Sequence, residues 1–84
     1  MNENNIKYKT TNLNLTTFLV VKDFRLLAIE NNSKRKTFVF DNSSELVNIV
    51  QIFNFGEDNN PELMVDARKL FRTSKEIKTK LYSI

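Results

Sequence analysis

Cysteine and histidine are absent from the 84 residues, and glycine occurs once, at Gly56. Without cysteine no disulfide can staple the fold and no thiol nucleophile exists. Without histidine the commonest general base is missing, and the two absences together exclude zinc fingers and the usual Cys/His metal sites. A single glycine cannot build a glycine-rich phosphate loop. Carboxylates, lysine, serine, threonine and tyrosine remain, and none stands in a nucleophile–base spacing. Glu62 and Asp66 would share a helix face, and Glu57 adjoins Asp58, but two acids are too few for a cation site. The expectation is a protein that is not an enzyme and that uses no metal or other cofactor. Long apolar runs are also lacking: none approaches the roughly 18 residues of a membrane span, and MNENNIKYKTTN has no apolar signal-peptide stretch. A soluble cytoplasmic protein with no membrane partner is therefore expected.

What is present is enough for a core. The chain is 40% hydrophobic and holds seven Phe, more large apolar side chains than a disordered segment carries. Its length suits one small domain, expected over residues 8–84, with residues 1–7 as a disordered N-terminus. The net charge is +3, unevenly spread. Residues 37–67 contain no base and six acids, whereas residues 68–80 contain six bases and only Glu76 as an acid. Such segregation suits either attraction within the fold, plain solvation, or a charged surface for a partner.

The expected fold is α+β. Tyr8 and Thr10 would share one face of a short N-terminal strand. LNLTTFLVVKDF is ambiguous: Leu15, Phe18, Leu19 and Lys22 keep helical spacing, while Thr16, Thr17, Val20 and Val21 favour a strand. Thr11 or Asn12 would cap a helix there, and Asp23 would turn the chain after it. FRLLAIENN and KTFVFDN form an antiparallel β-hairpin around a polar turn, with Phe24, Leu26 and Ala28 on one face of the first strand and Leu27 and Ile29 on the other. A helix follows, capped by Asn42, Ser43 or Ser44 and presenting Leu46, Ile49, Val50 and Phe53. It ends at Gly56 in a left-handed C′ position. Asn60-Pro61-Glu62 begins a long C-terminal amphipathic helix in which Leu63, Ala67, Leu70, Ser74, Ile77 and Leu81 recur at heptad-like spacing. Val65 fits that helix badly, and the alternative is a short strand at residues 63–65 before a helix capped by Asp66. The expected core is Leu15, Phe18, Leu19, Leu27, Ile29, Phe38, Phe40, Leu46, Val50, Phe53, Leu63, Leu70, Phe71, Ile77 and Leu81.

The stretches YKTTNLNLTTFLVVKDF, KRKTFVFDNS and FNFGEDNNPELMVDARKLF, with the Ile-Lys…Leu-Tyr tail, together resemble a small family of uncharacterised bacterial and phage proteins, a domain-of-unknown-function family. The resemblance covers residues 8–82. It implies a helix over residues 13–22, with Ala usual at Thr16 or Thr17 and Gly usual at Asp23. It implies no activity and no catalytic residue.

Candidate surfaces follow from charge and apolar excess. Lys34, Arg35 and Lys36 sit at the hairpin turn, where bases either contact phosphates or discourage edge pairing. On the last helix, at about 100° per residue, Arg72 and Lys75 lie within about 40° of Arg68, with Lys78 on one flank and Lys69 and Lys80 on the other. That face suits a nucleic-acid backbone, an acidic protein or solvent. Phe38 and Phe40 alternate like base-stacking aromatics, but Phe is usually buried. Phe55, Met64 and Tyr82 are candidate protein-interface residues. Phe71 and Met64 widen the apolar surface of the last helix, so a homodimer is also on the list of expected partners. The leading functional expectation is a protein-binding module, a modulator encoded by a phage or mobile element, whose partner the sequence leaves unknown. The alternative is a sequence-nonspecific nucleic-acid binder.

Overall fold

The computed structural model describes residues 6–32 and 34–83. The chain runs β1 (Lys7–Thr10), α1 (Leu13–Val21), β2 (Leu26–Asn32), β3 (Arg35–Asp41), α2 (Ser44–Phe55), a 3-10 turn (Pro61–Leu63) and α3 (Ala67–Tyr82). This is the expected α+β order of strand, helix, hairpin, helix and C-terminal helix. Lys7, assigned to the tail from sequence, already belongs to β1. Residues 1–5 lie outside the described residues.

The strands form an antiparallel sheet in the order β1-β3-β2, so the short N-terminal strand adds to the hairpin. Tyr8 and Leu26 flank Phe40, and Thr10 and Ile29 flank Phe38. Strand alternation points this set at the helices. The opposite face carries the ion pairs Lys7–Asp41 at 2.8 Å and Lys9–Glu30 at 3.2 Å. The second reaches across β3 beside Val39, the register partner of Lys9. Phe38 and Phe40 are fully buried, which removes them as stacking platforms.

A bulge between Leu26 and Ala28 corrects the alternation expected for β2. One extra residue on this edge strand shifts the phase. Leu26 and Ile29 therefore both pack on the core, while Leu27, expected in the core, is exposed.

The threonines that made α1 ambiguous are internally satisfied. The hydroxyls of Thr16 and Thr17 donate to the carbonyls of Asn12 and Leu13, each at 2.9 Å. Both side chains can then be buried without an unmet hydrogen bond. The Asn12 side chain accepts from the Leu15 N–H at 3.1 Å and caps the helix. At its other end the Asp23 N–H donates to the Val20 carbonyl and the Phe24 N–H to the Leu19 carbonyl, each at 3.0 Å. This is a Schellman closure, with Asp23 at φ 75° in the left-handed position.

Ser43 caps α2 by accepting from the Leu46 N–H at 3.0 Å. The expectation of a left-handed Gly56 is corrected: its φ is −70° and its ψ 159°. Glycine is needed there for space. The Gly56 N–H donates to the Ile52 carbonyl at 2.8 Å, and a Cβ would stand 2.6 Å from that same oxygen.

The single long C-terminal helix is also corrected. The Asn60 side chain accepts from the Glu62 N–H at 2.8 Å and starts only the 3-10 turn. Met64 is extended, and Asp66 caps α3 by accepting from the N–H groups of Arg68 and Lys69 at 2.9 and 3.2 Å. The break lets Leu63 and Val65 both pack against the core, which one continuous helix would not allow. The core joins Leu15, Phe18 and Leu19 of α1, Phe38 and Phe40 of β3, Leu46, Ile49 and Val50 of α2, and Ile77 of α3. Phe71, expected among them, is exposed.

Candidate binding surface

Strand geometry divides the basic turn. Lys34 is in the turn and exposed. Arg35 and Lys36 are successive residues of β3, so alternation directs them to opposite faces of the sheet. Lys36 is half-buried on the side of Phe38 and Phe40. The three bases therefore do not form one patch.

The bases of α3 do. Arg68, Lys69, Arg72 and Lys75 are all exposed. Lys69 lies 3.9 Å from Asp23. Among the described residues, Arg68, Arg72, Lys75 and Lys78 have no ion-pair partner. The acidic middle of the chain thus leaves this face unneutralised within the fold.

An aromatic residue belongs to the same face. Arg68, Phe71, Lys75, Lys78 and Tyr82 recur at 3-4-3-4 spacing, so they line up along one stripe of the helix. Phe71 is 69% exposed and Tyr82 80%. The stripe lies one residue beyond the row Leu70, Ser74, Ile77 and Leu81, which turns inward. The sequence held a signal for this: Phe71 has a base at i−3, at i+4 and at i+7, and a core position is rarely so surrounded.

Phe71 also stands at the rim of a groove of about 410 Å³. Phe18 of α1 and Phe53 of α2, with ring centroids 5.0 Å apart, belong to its lining. Leu63 and Val65 from the segment before α3, and Leu70 from α3, complete the apolar wall. Its polar groups are those of Asn14, Thr17 and Ser74. Among the described residues, no ionisable side chain lines it. The break before α3 builds this groove, because it turns Leu63 and Val65 to one side.

The other apolar candidates lie apart from it. Phe55 is 78% exposed at the last turn of α2, and Met64 is 59% exposed in the extended segment, near Asp23 and Lys69. Among the described residues, no group of His, Cys, Asp or Glu is placed to hold a metal ion, and no helix is long and apolar enough to cross a membrane.

The sequence model of one protein family, described as a domain of unknown function (DUF5659), matches residues 5–83. The chain belongs to this family. The matched span takes in every element from β1 to α3, so the groove and the basic stripe are both parts of a DUF5659 domain. Its description attaches no chemistry to either. No curated protein and no solved structure matches the chain.

Proposed function

We propose that the protein is a non-catalytic protein-binding module that seats an apolar segment of its partner in the groove between α1, α2 and α3. The observation behind this reading is the groove itself: largely apolar, without an ionisable group among the described residues, and rimmed by an exposed Phe71. Exposed aromatics beside a preformed apolar pocket are what binding hot spots are made of. The basic stripe alongside favours a partner segment that carries acids. A small modulator encoded by a phage or mobile element is the biological role we attach to it.

Selection of a random peptide library on the immobilised protein tests this directly. Recovered peptides should share one or two bulky apolar residues flanked by Asp or Glu. Their binding should weaken by about 10- to 100-fold on Phe71→Asp, the scale of losing one buried anchor. Recovery of no common pattern, or of peptides indifferent to Phe71→Asp, would overturn the reading.

A second reading rests on the stripe rather than the groove. Two exposed aromatics aligned with Arg68, Lys75 and Lys78, and with Arg72 adjoining, suit a single-stranded nucleic acid whose bases stack and whose phosphates meet the bases of the helix. Fluorescence anisotropy with labelled single-stranded DNA, duplex DNA and RNA at about 50 and 200 mM salt decides it. Steep loss of binding with salt, abolished by Arg68→Glu with Arg72→Glu and Lys75→Glu, is the expected result. Absence of binding at the lower salt removes this reading.

A further inference from the structure

The exposed aromatic at the end of α2 has no role in the groove. Phe53 lines the groove, whereas Phe55, two residues on, points about 160° away around the helix. Phe55 is thus an aromatic anchor on the outer side of α2, 78% exposed. Glu57 and Asp58 follow it after Gly56. Both are exposed, and among the described residues neither has an ion-pair partner. One molecule therefore carries two surfaces of opposite sign, each combining an aromatic with unneutralised charge. The first is Phe55 with Glu57 and Asp58. The second is Phe71 and its groove with Arg68, Lys75 and Lys78.

The two match each other, and a single chain cannot join them, because they lie on opposite sides of α2. We propose that a second copy of this chain supplies the occupant: Phe55 of one copy enters the groove of the other, with Glu57 and Asp58 against Lys75 and Lys78. The segment has the chemistry the groove reading asks of a partner, and the inference rests on that reading. Because the two surfaces face opposite ways, the contact is heterologous: copies join head to tail, each using both of its surfaces, so that the assembly extends until a ring closes. The segregation of charge along the sequence then has a physical consequence: acids without bases and bases without acids give complementary faces, which steer association and select its register.

Sedimentation velocity of the full chain, from about 5 to 500 µM at about 50 mM salt, tests the inference. Self-association that rises with concentration, past the dimer, and weakens with added salt is expected. The charge reversals Glu57→Lys with Asp58→Lys, and separately Lys75→Glu with Lys78→Glu, should each weaken it by about tenfold or more. An equimolar mixture of the two variants should restore association in one-to-one stoichiometry, since every reversed contact meets its complement. All four positions are exposed, and unchanged far-ultraviolet circular dichroism checks that each variant folds. A monomer throughout the range, or no recovery in the mixture, overturns the inference. The groove reading has its own readout: Phe55→Ala should reduce self-association and leave peptide binding intact, whereas Phe71→Asp should remove both. A monomeric protein that still binds selected peptides through Phe71 defeats the self-association and leaves the groove reading standing.

Discussion

Phe40→Ala is expected to cost about 3–5 kcal/mol, the range for emptying a large aromatic from a packed core. Phe40 has no exposed surface and sits on the central strand, between Tyr8 on β1 and Leu26 on β2. It belongs to the one cluster that ties the sheet to all three helices. A domain of this size has a total stability of only about 4–13 kcal/mol, so the variant should lose from about a quarter of it to all of it. Phe71→Ala supplies the comparison. The same substitution at a side chain 69% exposed should stay within about 0.5 kcal/mol. Urea unfolding followed by circular dichroism measures both. If Phe40→Ala cost less than about 1 kcal/mol, the core described above would be wrong in its centre. If Phe71→Ala cost several kcal/mol, Phe71 would be packed and the groove would lack its exposed rim.

That pair of phenylalanines also shows where sequence reasoning reaches and where it stops. Phe40 alternates with Phe38, so period-two patterning puts both on one face, and the tendency of Phe to be buried favours the inward face over a stacking platform. The caps were legible only to within a residue or so: Asn12 was one of two candidates and Ser43 one of three, and Asn60, expected to start the long helix, starts only the 3-10 turn. Phe71 was misassigned for a different reason. The row from Leu63 to Leu81 keeps helical spacing across a break at residues 64–66, so periodicity alone describes a helix longer and more apolar than α3. Once Asp66 is recognised as the cap, the buried side of α3 narrows to Thr73 and Ile77 with half-buried neighbours. Phe71 then falls outside it. Leu27 was lost to the bulge, which no propensity announces: one inserted residue exchanges the faces of a strand. The groove was not legible at all. It exists because Phe18, Phe53, Leu63 and Leu70, up to 52 residues apart in number, converge in space. Only the basic character of its α3 rim was evident beforehand.

Asp23→Gly should make the protein more stable, by about 0.5–1 kcal/mol, which for a domain of this size is roughly 2–8 °C in Tm. The reason is local. Asp23 holds φ 75° as the left-handed residue of the Schellman closure of α1, a conformation that costs an L-residue with a Cβ energy and glycine almost nothing. The Asp23 side chain contributes little in return. Its contact with Lys69 is 3.9 Å long and its carboxylate is 89% exposed, so the pair is worth next to nothing in water. The backbone asks for glycine there, and Asp is among the residues with a Cβ that tolerate the left-handed region best. Asp23→Ala separates the terms, since it removes the carboxylate but keeps the Cβ. It should be less stable than Asp23→Gly by about 1 kcal/mol. Thermal unfolding of the three proteins under one buffer decides the matter. A lower Tm for Asp23→Gly would mean that the carboxylate, and not the backbone, holds the turn that leads from α1 into β2.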